Sequence, residues 1–519
     1  MNGAELLVKS AITSGIEVCF INPGTTEMLL VRALDAVPGI RTILGLFEGV
    51  CTGAADGFGR MKGKPAMTLF HQGPGLAYGI ANLHDAQQAR TPVFNVVGDH
   101  ATWHRAENPT FHLDIEGLAA TVSGWLRTIS SARTISRDVA EAVAAALRGQ
   151  IASLVIAQDY QSAEWNGEVE SPVSVSPEKV GQEAIDRAAT LLRTTSPSAL
   201  MLGGKALNKS GLAAAARVAA ATGCNLFTDI FPACWERGAG LPVVQRTAHL
   251  PGQQDMVKYQ AVVLAGMEEP VTFSGWEGFK SRILSKEQKK VFLAAPGHDV
   301  VEALERLADA IGAPGYSHLP AGLIADYQPP DVPAGELTAA KACQTVAALQ
   351  PEGAIIVDEG ITSSWVYYPM TPRVAPHTLL TVAGVSIGWG MPCAVGAAVA
   401  SPDRPVITLE ADGSAMFTVQ ALWTQAREAL NITTLIFSNR SYNALRNQLI
   451  RDGVTAPGPT ARSVIELDRP PIDWLGVSRG LGVPAVSVNT AEGLARELRI
   501  ALAEPGPHLI EMVVQPHGR

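Results

Sequence analysis

Two apolar runs in the C-terminal third end in oxygen-bearing side chains, and their pairing restricts the chain more than any other feature. Val406-Ile407-Thr408-Leu409-Glu410 leads into Ala411-Asp412-Gly413-Ser414. A helical stretch, Thr418 to Ala429, follows, and Thr433–Phe437 then leads into Ser438-Asn439-Arg440-Ser441-Tyr442. Strand, helix and strand in this order predict a parallel pair joined by a crossover. In open α/β sheets the ligand crevice lies at the carboxyl ends of the strands. Asp412 and Asn439, 27 residues apart, would both stand there. A carboxylate, an amide oxygen and a backbone carbonyl suit a hard cation such as Mg²⁺, which keeps positions open for diphosphate oxygens. Gly413 permits close backbone approach, and a helix start at Ser414 offers N–H groups to an anion. Taken singly, Asp412 and Asn439 are residues that turns and caps also use. Their pairing at two strand ends is what points to a ligand.

The same α/β rhythm recurs upstream. A length of 519 residues allows about three domains. Strand-like runs at Glu17–Ile21, Thr42–Phe47, Ala66–Phe70, Val93–Val97 and Ser153–Ala157 alternate with helical patterns. A polar linker, Glu168–Pro177, ends that segment, and a second linker, Asp326–Pro333, ends the next. The expectation is an α/β chain of three doubly wound parallel-sheet domains, over residues 1–167, 178–325 and 334–519. Net charge is −9 and no basic patch dominates, which argues against nucleic acid as a partner. No apolar run approaches the roughly 18 residues of a membrane span, and the N-terminus lacks a signal-peptide pattern. Six scattered cysteines form no C-x-x-C pair or zinc spacing. The cytoplasm is the expected compartment.

A second constellation is Leu46-Phe47-Glu48-Gly49 followed by Ala54-Ala55-Asp56-Gly57-Phe58-Gly59-Arg60, an acid at the end of an apolar run with an Ala-rich helix behind it. A third is the glycine-rich Val382-Ala383-Gly384-Val385-Ser386-Ile387-Gly388-Trp389-Gly390-Met391-Pro392. A fourth is Asp358-Glu359-Gly360-Ile361-Thr362-Ser363-Ser364, whose hydroxyls after a strand suit either a diphosphate or a helix cap.

Together these motifs resemble the thiamine-diphosphate enzymes, over nearly the whole chain and in the order pyrimidine-binding, central Rossmann-like and diphosphate-binding domain. The metal signature of that family reads Gly-Asp-Gly, then Asn-Asn. Here Ala411 and Ser438 depart from it, while Asp412 and Asn439 match. The resemblance implies thiamine diphosphate and Mg²⁺ as cofactors, with Asp412, Asn439 and the Ser441 carbonyl as metal ligands. It implies cofactor contacts from Thr362, Gly413 and Ser414, from the Val385 carbonyl to the aminopyrimidine, and from Ile387 as the apolar wedge between the two rings. It makes Glu48 the carboxyl that activates the aminopyrimidine, which requires burial and a raised proton affinity. It also implies a homodimer or homotetramer with active sites between subunits, because Glu48 and Asp412 then come from different chains.

Within the superfamily the N-terminal third is similar to benzoylformate decarboxylases. Asn22-Pro23-Gly24-Thr25-Thr26-Glu27 places Thr25 where that group touches the substrate carboxylate, and Phe70-His71 matches its proton-transferring histidine. That group has a second active-site histidine in the central domain, and the stretch Glu269–Trp276 contains none. His112, in Thr110-Phe111-His112-Leu113-Asp114, is the candidate to replace it; His100 and His104 are weaker candidates. Gln72-Gly73-Pro74-Gly75 is also similar to acetolactate synthases, some of which bind FAD centrally. A lone Gly203-Gly204 does not support FAD here and lacks a full dinucleotide fingerprint.

The expected activity is cleavage of the C–C bond beside the carbonyl of a 2-oxo acid, a decarboxylation through a C2 carbanion and an enamine. The alternatives are an acetolactate synthase-type carboligase, a non-catalytic cofactor-binding homologue and, from Gly203-Gly204, a nicotinamide-dependent oxidoreductase.

Overall fold

The structure, a computed structural model, describes residues 1–247, 256–275 and 277–515; Trp276 lies outside them. The chain builds three sheets dominated by parallel pairing. The first runs Arg41–Leu44, Val18–Asn22, Ala66–Phe70, Val93–Asp99, Ile151–Ala157, Trp125–Thr128, parallel throughout. The second runs Gln245–Arg246, Asn225–Thr228, Ser198–Leu202, Ala261–Ala265, Lys289–Ala294, also parallel. The third runs Ala485–Val488, His508–Val513, Ile432–Ser438, Val406–Ala411, Ile355–Glu359, His377–Thr381, and ends on Cys234–Arg237.

That last strand comes from the central segment and pairs antiparallel with His377–Leu380. The third sheet is therefore completed by a strand the sequence places more than a hundred residues upstream. Its four residues carry no alternation long enough to read as a strand, which is why the sequence does not announce it.

Numbered from its own first strand, the first sheet reads 2-1-3-4-6-5, and so does the third once the added strand is set aside. The two segments are thus the same topological unit. In each, the first and third strands are neighbours, the chain leaves them in opposite directions, and a crevice opens at their carboxyl ends. Asn22 and His71 stand at that crevice in one unit, Glu359 and Asp412 in the other.

The units meet through two helices. Gly390–Ala400 is buried along its whole length and made almost entirely of small and apolar residues, as a helix without a solvent face must be. It packs on Glu48–Lys62 at glycines. A Cβ on Gly57 would lie 2.1 Å from the Cys393 carbonyl oxygen, and one on Gly396 would lie 1.8 Å from that of Ala54. One hydrophobic core accordingly runs from Phe58 and Leu76 through Trp389 and Val395 to Leu422.

A buried polar network locks the crossing. Arg60 donates from Nε to Asp56 Oδ1 (2.9 Å), and Nη2 lies 2.7 Å from Oδ2. Trp389 Nε1 donates to the same carboxylate (2.6 Å), and Arg60 Nη1 donates to the Thr381 and Ala233 carbonyls (2.6 and 3.1 Å).

Two expected elements shift. The run Thr42–Phe47 is a strand only over Arg41–Leu44; Gly45–Phe47 turns, and Glu48 opens the next helix instead of closing a strand. The helix expected over Thr418–Ala429 spans only Ala421–Arg427, and a separate short helix, Asp412–Ala415, precedes it, so the first helical residue after the strand is Asp412, not Ser414. No helix among the described residues is long and apolar enough to cross a membrane.

Candidate active site

At the third sheet, Asp412 leaves Val406–Ala411 as the first residue of a short helix. Oδ1 accepts from the Gly413 N–H (2.8 Å) and Oδ2 from the Arg440 N–H (2.6 Å). Register brings Ala411 beside Phe437, so Asn439 stands close by on the adjacent strand. Asn439 Oδ1 accepts from the Ser441 N–H (2.9 Å), which folds the Asn439–Ser441 backbone around its own side chain. Burial raises the Asp412 carboxyl to about 6, although the Arg440 and Gly413 amides pull the other way.

The surroundings leave buried polar atoms unmatched. Ser441 Oγ and Asn443 Oδ1 have no hydrogen-bond partner. Asn443 Nδ2 donates to Thr362 Oγ1 (3.4 Å), which brings the Thr362 loop to the same place. No group of three His, Cys, Asp or Glu side chains among the described residues could hold a metal by itself. The donors here are instead one carboxylate, one amide and one carbonyl. Such a hard-oxygen set with unfilled acceptors fits a cation that brings phosphate oxygens with it. Gly413 is packed by Tyr442, whose ring would lie 2.4 Å from a Cβ there.

Between this site and the N-terminal sheet lies the glycine-rich turn. Val385 adopts φ +55°, the left-handed region, which for a β-branched residue costs about 1–3 kcal/mol and persists only when neighbours enforce it. Glu359, fully buried, accepts from the Gly388 and Gly390 N–H groups (2.7 and 2.5 Å). Burial raises the carboxyls of both Glu359 and the neighbouring buried Glu410, and the Gly388 and Gly390 amides pull Glu359 the other way. Thr418 Oγ1 donates to the Gly388 carbonyl (2.8 Å). Ile387 stays half-buried on this turn.

The N-terminal sheet carries a second group of candidate residues. Glu48 is 8% exposed, and burial raises its carboxyl against the pull of its own backbone amide, the Asn22 side chain and His71. A Cβ on Gly75 would sit 3.2 Å from Glu48 Oε1, so the glycine leaves room for that carboxyl. Asn82 Nδ2 reaches the Gly49 carbonyl (2.8 Å) and the Gly388 carbonyl (3.3 Å), tying the residue after Glu48 to the residue after Ile387.

His71 follows its strand end as expected. Its Nδ1 lies 2.9 Å from Glu27 Oε2 and 3.1 Å from Thr26 Oγ1, and its ring stands edge-on to Phe111. Thr26, not Thr25, makes the contact to His71; Thr25 is exposed. His112 is exposed one residue beyond Phe111. His100 is buried, and its imidazole is held toward the neutral form by burial and by His104, His112 and His71, against Asp99.

The chain matches the N-terminal thiamine pyrophosphate-binding domain of thiamine pyrophosphate enzymes over residues 1–118, and their C-terminal thiamine pyrophosphate-binding domain over residues 358–512. It is 45% identical over 99% of both chains to a Mycobacterium tuberculosis protein provisionally named acetolactate synthase large subunit IlvX. The chain belongs to the thiamine pyrophosphate enzyme family. It is 27% identical to benzoylformate decarboxylase of Pseudomonas aeruginosa, over 96% of each chain. In fold it matches the thiamine diphosphate-dependent 4-hydroxybenzoylformate decarboxylase of Rhodococcus jostii RHA1, with a TM-score of 0.87 at 22% identity over 99% of each chain.

For a thiamine pyrophosphate enzyme, the residues that sequence reading passed over are the buried polar ones behind the contacts. Glu27 stands inside the Asn22–Glu27 motif, and its spacing from Gly24 is that of a capping residue; its side chain does accept from the Gly24 N–H (3.0 Å). Asn82 and Asp85 lie three apart on Gln72–Gln88 and are both buried. Two buried polar residues on one helix face were the available signal.

Proposed function

We propose that this thiamine pyrophosphate enzyme cleaves the C–C bond beside the carbonyl of a 2-oxo acid, releasing CO₂, in the manner of a benzoylformate decarboxylase. The observation that carries the reading is the buried carboxylate under His71: Glu27 fixes Nδ1 and leaves Nε2 as the free nitrogen of a partly exposed imidazole. A protonation site of that kind is what release of an aldehyde after CO₂ requires.

Asp412, Asn439 and the Ser441 carbonyl would hold Mg²⁺ with the diphosphate, and Thr362, Gly413 and Ser414 would line the diphosphate. Bound thiamine diphosphate supplies a carbon nucleophile and an electron sink. Glu48, buried and with its proton affinity raised by that burial, would exchange a proton with the aminopyrimidine ring of the bound cofactor, the Val385 carbonyl would accept from that ring, and Ile387 would pack against the cofactor. Thr25 and His71 meet the substrate; His112 assists from the exposed loop. The pockets complete themselves between subunits of a homodimer or homotetramer. Support comes from apolar side chains left open near the site, among them Tyr78 at 61% and Phe417 at 56% exposure. The compartment is the cytoplasm.

A second reading, acetolactate synthase-type carboligation, is favoured by the name of the 45%-identical relative. Incubation with a panel of 2-oxo acids, with and without acceptor aldehydes, decides between them. Aldehyde and CO₂ alone support the decarboxylase, and acetolactate from pyruvate supports the carboligase. No thiamine diphosphate and Mg²⁺ binding by calorimetry would refute both.

A further inference from the structure

Asp85 lies on Gln72–Gln88 in the N-terminal unit, yet its carboxyl reaches the glycine-rich turn of the C-terminal one. Oδ1 accepts from the Gly384 N–H (2.7 Å) and from the Ser386 N–H (3.3 Å), the two amides that flank Val385. The residue is fully buried, and Oδ2 has no partner. Successive amides around a left-handed residue form a concave donor pair that suits one oxygen. Val385 is that left-handed residue, at φ +55°. A valine does not rest there unaided, because its branched Cβ meets the following carbonyl. Among the described residues no donor reaches the Val385 carbonyl, so that acceptor is left free.

We propose that Asp85 is a positioning residue for the aminopyrimidine half of the cofactor, acting through Val385. By holding both flanking amides it keeps the strained residue left-handed and the Val385 carbonyl aimed at the ring. This rests on the reading above that the Val385 carbonyl accepts from that ring. Gly384 is required for the approach, since a Cβ there would lie 2.7 Å from Asp85 Oδ1 and 2.9 Å from His84 Cδ2. Glu359 holds only the far end of the turn, at Gly388 and Gly390, and cannot substitute. The role needs an acceptor and no charge, so asparagine should serve where alanine does not.

The test uses the full chain, first without and then with thiamine diphosphate and Mg²⁺. In the cofactor-free protein, Asp85→Ala should speed hydrogen exchange of the Gly384 and Ser386 amides by about tenfold or more, and Asp85→Asn should restore protection. With cofactor bound, Asp85→Ala should lose the near-ultraviolet circular dichroism band of the aminopyrimidine tautomers. Metal-dependent cofactor affinity should meanwhile change by less than about threefold, because the diphosphate is held elsewhere. In a Val385→Gly background, where the left-handed conformation is free of strain, the exchange effect of Asp85→Ala should shrink. That double variant also carries the comparison if Asp85→Ala alone does not fold. Wild-type exchange and a wild-type band in Asp85→Ala would overturn the proposal alone. Failure of the wild-type protein to bind the cofactor would overturn the functional reading and the proposal with it.

Discussion

The Glu27 carboxylate fixes the imidazole of His71, with Oε2 2.9 Å from Nδ1. It is itself fixed, accepting from the Gly24 N–H (3.0 Å) and the Thr26 hydroxyl (2.6 Å) at full burial. The strand pairing packs it tightly, since a Cβ on Gly98 would fall 1.8 Å from Glu27 Oε1. If His71 transfers the proton, His71→Ala should lower kcat by roughly a hundredfold or more. Glu27→Gln keeps the shape but weakens the orienting bond, so it should lower kcat, though less than His71→Ala does. A wild-type kcat in Glu27→Gln would leave Glu27 a packing residue only.

Glu48→Gln should bind thiamine diphosphate nearly as well as the wild type. Turnover should fall by a factor on the order of 10²–10⁴, since the buried acid is the group placed to exchange a proton with the aminopyrimidine. Steady-state rates together with cofactor titration separate the two effects. Near-normal turnover would sink the activating role.

Asp412→Ala should lose metal-dependent cofactor retention on gel filtration. The wild type should show a pH limit of the same origin. Burial raises the Asp412 carboxyl to about 6, and only its charged form attracts a cation. Loading with Mg²⁺ and thiamine diphosphate should therefore weaken as pH falls through about 6, and a bound cation should push that limit lower. Equal retention at pH 5 and pH 7.5 in a loading assay would contradict the ligand assignment.

Asp85 carries its own pH signature in the cofactor-free protein. Burial raises its carboxyl to about 8, overriding the nearby Arg60. A carboxyl in the unfolded chain titrates near 4. Between those values the folded state keeps a proton that the unfolded state has released, so stability falls as pH rises from about 4 to about 8. Asp85→Asn removes that contribution. Urea midpoints across this range should decline less steeply for the variant than for the wild type; identical slopes would count against a buried neutral Asp85.

The helix crossing admits no side chain at its glycines. Gly57→Val would drive Cβ toward the Cys393 carbonyl oxygen, 2.1 Å away, which is backbone and cannot swing aside. Overpacking of this kind costs about 1–3 kcal/mol and occasionally more, and the denaturant midpoint should fall accordingly. Gly63→Ala at the end of the same helix meets nothing within 4 Å and serves as the contrast, with only its φ of +65° opposing the change.

The sequence by itself determined the three α/β segments, the strand-end positions of Asp412, Asn439 and His71, and the identity of the cofactor family. These are local facts: apolar periodicity marks the strands, and an acid, an amide or an imidazole at a strand's carboxyl end falls into the crevice wherever the sheet happens to pack. What only the tertiary structure decided is who supports those residues. Cys234–Arg237 crosses into the third sheet, Asp85 reaches over to Gly384 and Ser386, and Arg60 ties Asp56 to the Thr381 carbonyl, all across long stretches of chain. Thr26 instead of Thr25 meets His71 because a 3-10 turn over Thr25–Glu27 rotates the neighbouring hydroxyl inward. The physical reason is the same throughout. A buried polar group must find its partner wherever packing brings one within about 3 Å, and that meeting is set by how the two repeated units press together at Gly57 and Gly396.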